Sequence, residues 1–101
     1  MPKRRRMRDN ERFSIIHDLS ECYFCGAPAT DKHEIFEGTA NRQKSIQNGL
    51  VVGLCRNHHN AVHSSKSLAL TLKRAGKIAF LKNHTEEEFL KIFGRTYETD
   101  L

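Results

Sequence analysis

Two short pairs of metal-binding residue types constrain this chain more than any other feature of its sequence. Cys22 and Cys25 are separated by two residues, and so are Cys55 and His58. Structural zinc is typically bound by four cysteine or histidine ligands in a tetrahedron, often as two such pairs on tight turns. The spacing therefore predicts one zinc ion that joins the turn at residues 22–25 to the start of a helix at residues 55–58.

The length of the chain makes such a site useful. With 101 residues there is room for one domain, and a domain this small buries a modest fraction of its surface, so a metal can replace missing core. Three cysteines cannot all pair with one another, and a Cys-x-x-Cys favours metal or redox chemistry in a reducing compartment, here expected to be the cytoplasm. The alternative is a redox pair at Cys22 and Cys25, with Cys55 as a small buried apolar residue.

Two further histidines follow the second pair. His59 and His63 are four residues apart and share one face of a predicted helix, a spacing that can hold a divalent ion. His33 is the candidate third ligand, although strand alternation sends His33 and Glu34 to opposite faces unless the strand ends or bulges there. Three histidines with open coordination positions are typical of a catalytic metal, and the adjacent carboxylate suggests hydrolysis. Alternatively, His59 and His63 are surface residues of a polar helix.

An α+β fold is predicted from the order of the elements. Residues 30–36 and 50–54 are predicted strands, and the polar segment 38–49 between them is predicted to be a loop, which gives a hairpin with a long connection. Predicted helices cover residues 56–63, 66–83 and 85–94. The last of them has a capping box of Thr85 and Glu88 and ends at Gly94.

The net charge of the chain is concentrated at its N-terminal end. Residues 1–12 contain six basic and two acidic residues, which accounts for most of the formal net charge of +5. Such a run is either a solvated flexible arm or an arm that docks on nucleic-acid phosphates by releasing counterions. No stretch has the pattern of a secretory signal or the length of a membrane span, so no membrane partner is expected.

Taken together, residues 22–63 resemble the HNH endonucleases, in the subgroup that adds a four-ligand zinc site. The segments "HEIFEGTANRQKS", "GLVVGLC" and "EEFLKIFGRTY" are also similar to short HNH proteins carried by phages and prophages. The resemblance implies a small ββα-metal domain over residues 13–64, with extra helices over residues 65–101 that pack on this core or on a partner.

The resemblance also implies a mechanism. His33, His59 and His63 would hold one catalytic ion, Mg²⁺, Mn²⁺ or Ni²⁺, that grips the scissile phosphate. A base would activate water and leave a 5′-phosphate and a 3′-hydroxyl, and the central asparagine, Asn48, would hold the geometry of the loop and the base. Candidate phosphate contacts are Arg42, Lys44 and Arg56.

The chain departs from the family pattern at Glu34, because the residue after the strand's metal ligand is usually histidine. Two assignments therefore stay open. Either His33 binds the ion and Glu34 activates water, which we favour, or His33 is the base and Glu34 or the substrate helps His59 and His63 to hold the ion.

Three functions are compatible with these patterns. The first is cleavage or nicking of DNA by divalent-metal-assisted hydrolysis. The second is a non-catalytic, zinc-stapled DNA-binding module, which the basic arm favours. The third is an adaptor whose C-terminal helices, with Phe80, Phe89 and Phe93, pack on a protein partner or on a second copy of the chain, and a homodimer is also compatible with the first function.

Overall fold

A computed structural model describes residues 12–94 and gives them an α+β fold, as predicted. The two strands are β1, Asp31–Glu34, and β2, Val51–Leu54, and they form an antiparallel sheet in which Asp31 lies opposite Leu54. The four helices are α1, Thr39–Gln47; α2, Arg56–Ser64; α3, Lys66–Phe80; and α4, Glu86–Phe93. Residues 1–11 of the predicted basic arm and residues 95–101 lie outside the described range.

The segment that connects the strands is helix α1, so the prediction of a loop over residues 38–49 is wrong. Helix α1 is polar, and its fully buried side chains are those of Ser45 and Ile46. A helix that buries so little has no apolar periodicity, which is the signal that sequence prediction depends on. The two glycines around it, Gly38 and Gly49, have positive φ angles of 99° and 71°, which glycine adopts without strain.

Ser45 fastens α1 to the residues that follow β1. Its hydroxyl donates to the carbonyl oxygen of Phe36 at 3.0 Å and accepts from the backbone N–H of the same residue at 3.1 Å. Both backbone groups are buried, and a buried backbone group without a partner is costly. The hydroxyl of Ser45 therefore satisfies both backbone groups of Phe36, two residues after Glu34.

The C-terminal helices pack on the core through an aromatic cluster. The ring of Phe36 lies 4.5 Å from that of Phe93 and 5.5 Å from that of Phe89, and Phe80 packs against Phe89 at 5.6 Å. All four rings are buried. The phenylalanines considered above as an adaptor surface are therefore packed inside the described part of the chain.

Helix α4 has the predicted ends. The hydroxyl of Thr85 accepts from the N–H of Glu88, whose carboxylate accepts from the N–H of Thr85, so the capping box is confirmed. Gly94 ends the helix in the left-handed conformation, with a φ angle of 74°. No helix within residues 12–94 is both long enough and apolar enough to cross a membrane.

Residues 17–23 lie flat against β2, and a glycine makes this approach possible. A Cβ atom at Gly53 would clash with the carbonyl oxygens of Leu19 and Glu21. The N–H of Gly53 donates to Nε2 of His17 at 3.1 Å, and its carbonyl oxygen accepts from the N–H of Tyr23 at 2.9 Å. His17 can accept this bond only while its Nε2 is unprotonated, so the contact requires the neutral imidazole.

Acid should weaken this contact. Burial lowers the pKa of His17 below its ordinary value of about 6.5, although Asp18 and Glu21 act in the opposite direction. Near that pH the folded protein therefore binds fewer protons than the unfolded chain. The contribution of His17 to stability is fully present above about pH 6.5 and is lost as the pH falls through that value towards the lower pKa of the folded state.

The variant His17→Gln tests this linkage, because its amide oxygen can accept the same hydrogen bond and does not titrate. Urea unfolding of the wild type and of His17→Gln should be compared at about pH 7.5 and about pH 5.5, on either side of the ordinary histidine pKa. Both proteins carry the same Cys₃His cluster, so the effect of acid on a metal bound there is expected to be common to both. We expect the variant to lose less stability than the wild type over this interval, and an equal loss contradicts the role of His17.

Candidate metal centres

Two turns bring the predicted zinc ligands together. In the first turn the N–H of Cys22 donates to the carbonyl oxygen of Ala27 at 2.7 Å, and the N–H of Gly26 donates back to the carbonyl oxygen of Cys22 at 2.8 Å. The second turn is the start of α2, where Cys55 occupies the N-cap position and His58 lies in the first helical turn. The N-cap residue of α2 is thus also a candidate ligand.

The distances among these side chains fit a tetrahedral ion. The Sγ atoms of Cys25 and Cys55 are 3.9 Å apart, and Nδ1 of His58 lies 3.5 Å from Cys22 Sγ and 3.3 Å from Cys55 Sγ. A tetrahedral zinc ion with bonds of about 2.3 Å to sulfur and about 2.0 Å to nitrogen places two sulfurs about 3.8 Å apart, and a sulfur and a nitrogen about 3.5 Å apart. The three cysteines are free thiols. The Cys₃His cluster could therefore hold a structural metal.

The protonation of the cluster also suits a cation. Burial raises the pKa of Cys22, but the backbone N–H groups of Cys55, Cys25 and Phe24 lower it to about 6. For Cys25 the N–H of Ala27 lowers the pKa, yet the neighbouring thiols of Cys22 and Cys55 act against it and the result is a raised pKa. One thiolate therefore forms readily and opposes the ionisation of the next, a repulsion that a bound cation relieves.

Cys25→Ser should remove the metal and unfold the chain. A structural zinc in a small domain contributes about 10 kcal/mol or more to folding, which is comparable to the whole stability of such a domain. Zinc content by atomic emission should fall from one ion per chain to none, and the cooperative thermal transition should disappear. His63→Ala, on the same helix but outside this cluster, is the control that keeps both. If Cys25→Ser retains its zinc and its melting temperature, the assignment of these ligands is wrong.

A second cluster includes two other residues of α2. One ring nitrogen from each of His33, His59 and His63 lies within 4.8 Å of the others, so these residues could also hold a metal ion. The Nε2 atoms of His59 and His63 are 3.1 Å apart. Two ligands at adjacent corners of an octahedron with bonds of about 2.1 Å are about 3.0 Å apart, so this pair has the separation of neighbouring ligands.

His33 and Glu34 face the same cavity, which strand alternation alone does not predict. The cavity has a volume of about 410 Å³ and is lined by Lys32, His33, Glu34, Glu37, Arg42, His59 and His63. Glu34 is the last residue of β1, lies opposite Val51 of β2, and is buried like His33. Burial lowers the pKa of His33, as do His59 and His63, against the opposing effect of Glu37. The ring therefore keeps a free lone pair at neutral pH.

The carboxylate of Glu34 is held by two arginines. Arg12 Nε lies 3.3 Å from one carboxylate oxygen and Arg42 Nε lies 3.1 Å from the other. The side chain of Glu34 is 9% exposed, that of Arg12 is 14% exposed and that of Arg42 is 60% exposed. Each carboxylate oxygen keeps a second lone pair, so Glu34 is fixed in orientation and can still accept a hydrogen bond from the cavity.

The remaining predicted site residues, Asn48, Lys44 and Arg56, are not among the residues that line this cavity. Asn48 does not line it; its amide donates to the carbonyl oxygen of Lys44 at 2.8 Å and so closes the C-terminal end of α1. Lys44 is half-buried and is not among the lining residues. Arg56, at the start of α2, is 68% exposed and lies 3.6 Å from Asp31. Of the three predicted phosphate contacts, Arg42 is the one that lines the cavity.

Sequence reasoning missed several charged neighbours of the histidines. Asp31 Oδ2 lies 3.3 Å from Nδ1 of His59, and Glu37 Oε1 lies 3.7 Å from Nε2 of His33. The position of Asp31 could have been found, since residues two apart on a strand share a face and Asp31 precedes His33 by two. The contact between Arg12 and Glu34 spans 22 residues and leaves no local pattern in the sequence.

The chain matches no protein-family model, and searches of curated proteins and of solved structures likewise gave no match.

Proposed function

We propose that the protein is an HNH-type endonuclease that hydrolyses DNA phosphodiester bonds with the help of a divalent ion. One observation carries the proposal: His33, His59 and His63 converge beside Glu34 in a cavity, separately from the Cys₃His cluster. Because the Cys₃His cluster could already hold a structural metal, the histidine cluster, which has no thiol ligand, is not required for that role. Its donors suit an ion that keeps open positions for water and substrate.

The three histidines, which line the cavity, would hold the ion there. His33 comes from β1, whereas His59 and His63 come from successive turns of α2, so the site depends on how this helix packs against the strand. Mg²⁺, Mn²⁺ or Ni²⁺ bound there would stabilise the charge that develops on the phosphate and on the leaving 3′-oxygen, an effect worth several kcal/mol.

Glu34 would act as the general base. Its carboxylate faces the same cavity as the histidines, and the two arginines hold it at a fixed angle with lone pairs remaining for a water molecule. Arg12 and Arg42 are thus positioning residues for the base. In this assignment His33 is a ligand.

Basic side chains at the cavity would contact the phosphate backbone. Arg42 is mostly exposed and uses only Nε to hold Glu34, so its two Nη groups can donate to a phosphate oxygen. Lys32 also lines the cavity, and Arg56 is exposed at the start of α2. These contacts would position DNA without reading its sequence.

Incubation with supercoiled plasmid tests the function directly. Purified wild-type protein with Mg²⁺, Mn²⁺ or Ni²⁺ should convert the plasmid to open circles or linear DNA, and EDTA should prevent this. His59→Ala should abolish cleavage while it keeps one zinc per chain, because only the second cluster loses a ligand. His84→Ala, a histidine outside both clusters, is the matched control and should cleave normally. Intact plasmid with every metal contradicts the proposal.

Comparison of His33→Ala with Glu34→Gln separates the two assignments of the base. If His33 is a ligand, His33→Ala should lose affinity for Mn²⁺, whereas Glu34→Gln should bind Mn²⁺ normally and lose about 10²–10⁴-fold in cleavage rate. Glu37→Gln alters another carboxylate of the same cavity and serves as the control. The reverse pattern, with metal affinity lost in Glu34→Gln and retained in His33→Ala, makes His33 the base.

A second candidate function is a non-catalytic, zinc-stapled DNA-binding module. The observation that favours it is the pairing of both Glu34 oxygens with arginines, which is also the arrangement of a purely structural ion pair. This function requires retarded migration of DNA in a gel-shift assay under conditions where the plasmid stays intact with all three metals.

A further inference from the structure

Asp31 lies behind His59, on the side away from the histidine cluster. It is the first residue of β1, and its side chain is 22% exposed. One carboxylate oxygen, Oδ2, is 3.3 Å from Nδ1 of His59, and the other, Oδ1, is 3.6 Å from Nη2 of Arg56. The carboxylate is thus flanked by two residues from the first turn of α2.

The two ring nitrogens of His59 have different neighbours. Nδ1 faces the carboxylate of Asp31, whereas Nε2 lies 3.1 Å from Nε2 of His63, inside the histidine cluster. A neutral imidazole carries its proton on one nitrogen only and offers a lone pair at the other. A carboxylate beside Nδ1 stabilises a proton there, so the lone pair stays at Nε2, the atom that faces the cluster.

We propose that Asp31 is a positioning residue that holds His59 in the Nδ1–H tautomer and so directs the Nε2 lone pair into the histidine cluster. Carboxylates that accept the second N–H of a metal-binding histidine fix its tautomer and orientation and raise its basicity as a ligand. The inference rests on the metal site of the proposed function, but not on the cleavage reaction.

Asp31 suits this role better than Glu37, the other carboxylate near the cluster. Glu37 is 50% exposed, follows the end of β1, and its closest oxygen is 3.7 Å from the His33 ring. Asp31 is 22% exposed and belongs to the strand, and its carboxylate lies 3.3 Å from the His59 ring, which is closer than its 3.6 Å contact with Arg56. The carboxylate can therefore restrict the rotation of the His59 ring through its own contact with Nδ1.

Asp31 could instead merely tie β1 to α2 through Arg56, and the experiment must distinguish this role. The variants are Asp31→Ala, Asp31→Asn, Arg56→Ala and Glu37→Ala, each loaded with one zinc per chain at the Cys₃His cluster. Long-range ¹H–¹⁵N correlation spectra without a second metal give the tautomer of His59. Calorimetric titration with Mn²⁺ gives the affinity of the histidine cluster.

In the wild type the spectra should show His59 mainly as the Nδ1–H tautomer, and in Asp31→Ala the Nε2–H form should increase. Mn²⁺ affinity should fall by about 10–100-fold in Asp31→Ala, the usual effect of losing such a partner. Asp31→Asn, whose amide oxygen can still accept from Nδ1–H, should fall by less. Arg56→Ala and Glu37→Ala should keep the tautomer of the wild type and nearly its affinity.

An unchanged tautomer and unchanged Mn²⁺ affinity in Asp31→Ala overturn the inference and leave the proposed function intact. The same loss of affinity in Arg56→Ala also overturns it, since the role is then structural. If the wild type binds no Mn²⁺, the proposed function loses its ion and the tautomer of His59 alone decides the inference. Should Asp31→Ala fail to fold, Asp31→Asn, which replaces the charged acceptor with a weaker neutral one, is measured instead, and a tautomer and Mn²⁺ affinity equal to those of the wild type then overturn the inference.

Discussion

The convergence of three thiols and one imidazole at the start of α2 is the interaction on which the rest of the structure depends. Cys55 ends the turn after β2, caps α2 and contributes a sulfur to the cluster, so one residue determines both where the helix begins and where it is anchored. Within residues 12–94 the sheet has two short strands, and such a sheet cannot by itself hold the helix in place. A metal bound at this point would replace core that a chain of this size lacks.

The geometry of the histidine cluster depends on the Cys₃His cluster and on the contacts that Ser45 and Phe36 make just after β1. Helix α2 presents His59 and His63, while Ser45 and the ring of Phe36 fix the chain just beyond Glu34. Functional side chains held by a strand, a helix and a packed aromatic ring keep their relative positions better than side chains on loops. The fold thus uses its C-terminal helices, through the aromatic cluster, to support a cavity that they do not line.

Residue types at fixed spacings made much of this structure predictable. The paired two-residue gaps identified the Cys₃His residues, the i, i+4 rule placed His59 with His63, and the capping residues gave the ends of α4. The sequence did not predict helix α1, because its polar surface hides the periodicity by which helices are detected. It also did not predict the arginine pair on Glu34 or the contact of Asp31 with His59. Arg12 is 22 residues from Glu34, and Arg42 belongs to the helix that was not predicted. Strand alternation gives the face on which Asp31 lies but not its partner on α2.

The adjacency of His58 and His59 on α2 has a thermodynamic consequence. The two residues face different clusters, so any ordering of this helical turn by an ion at one cluster lowers the entropy cost of binding at the other. Coupling of this kind is reciprocal. An ion bound by His59 and His63 would raise the metal affinity of the Cys₃His cluster by the same factor by which zinc at that cluster raises the metal affinity of the histidine pair. If both clusters bind ions, the two sites would therefore form one cooperative unit, in which the retention of an ion at the Cys₃His cluster would report on the occupancy of the histidine cluster.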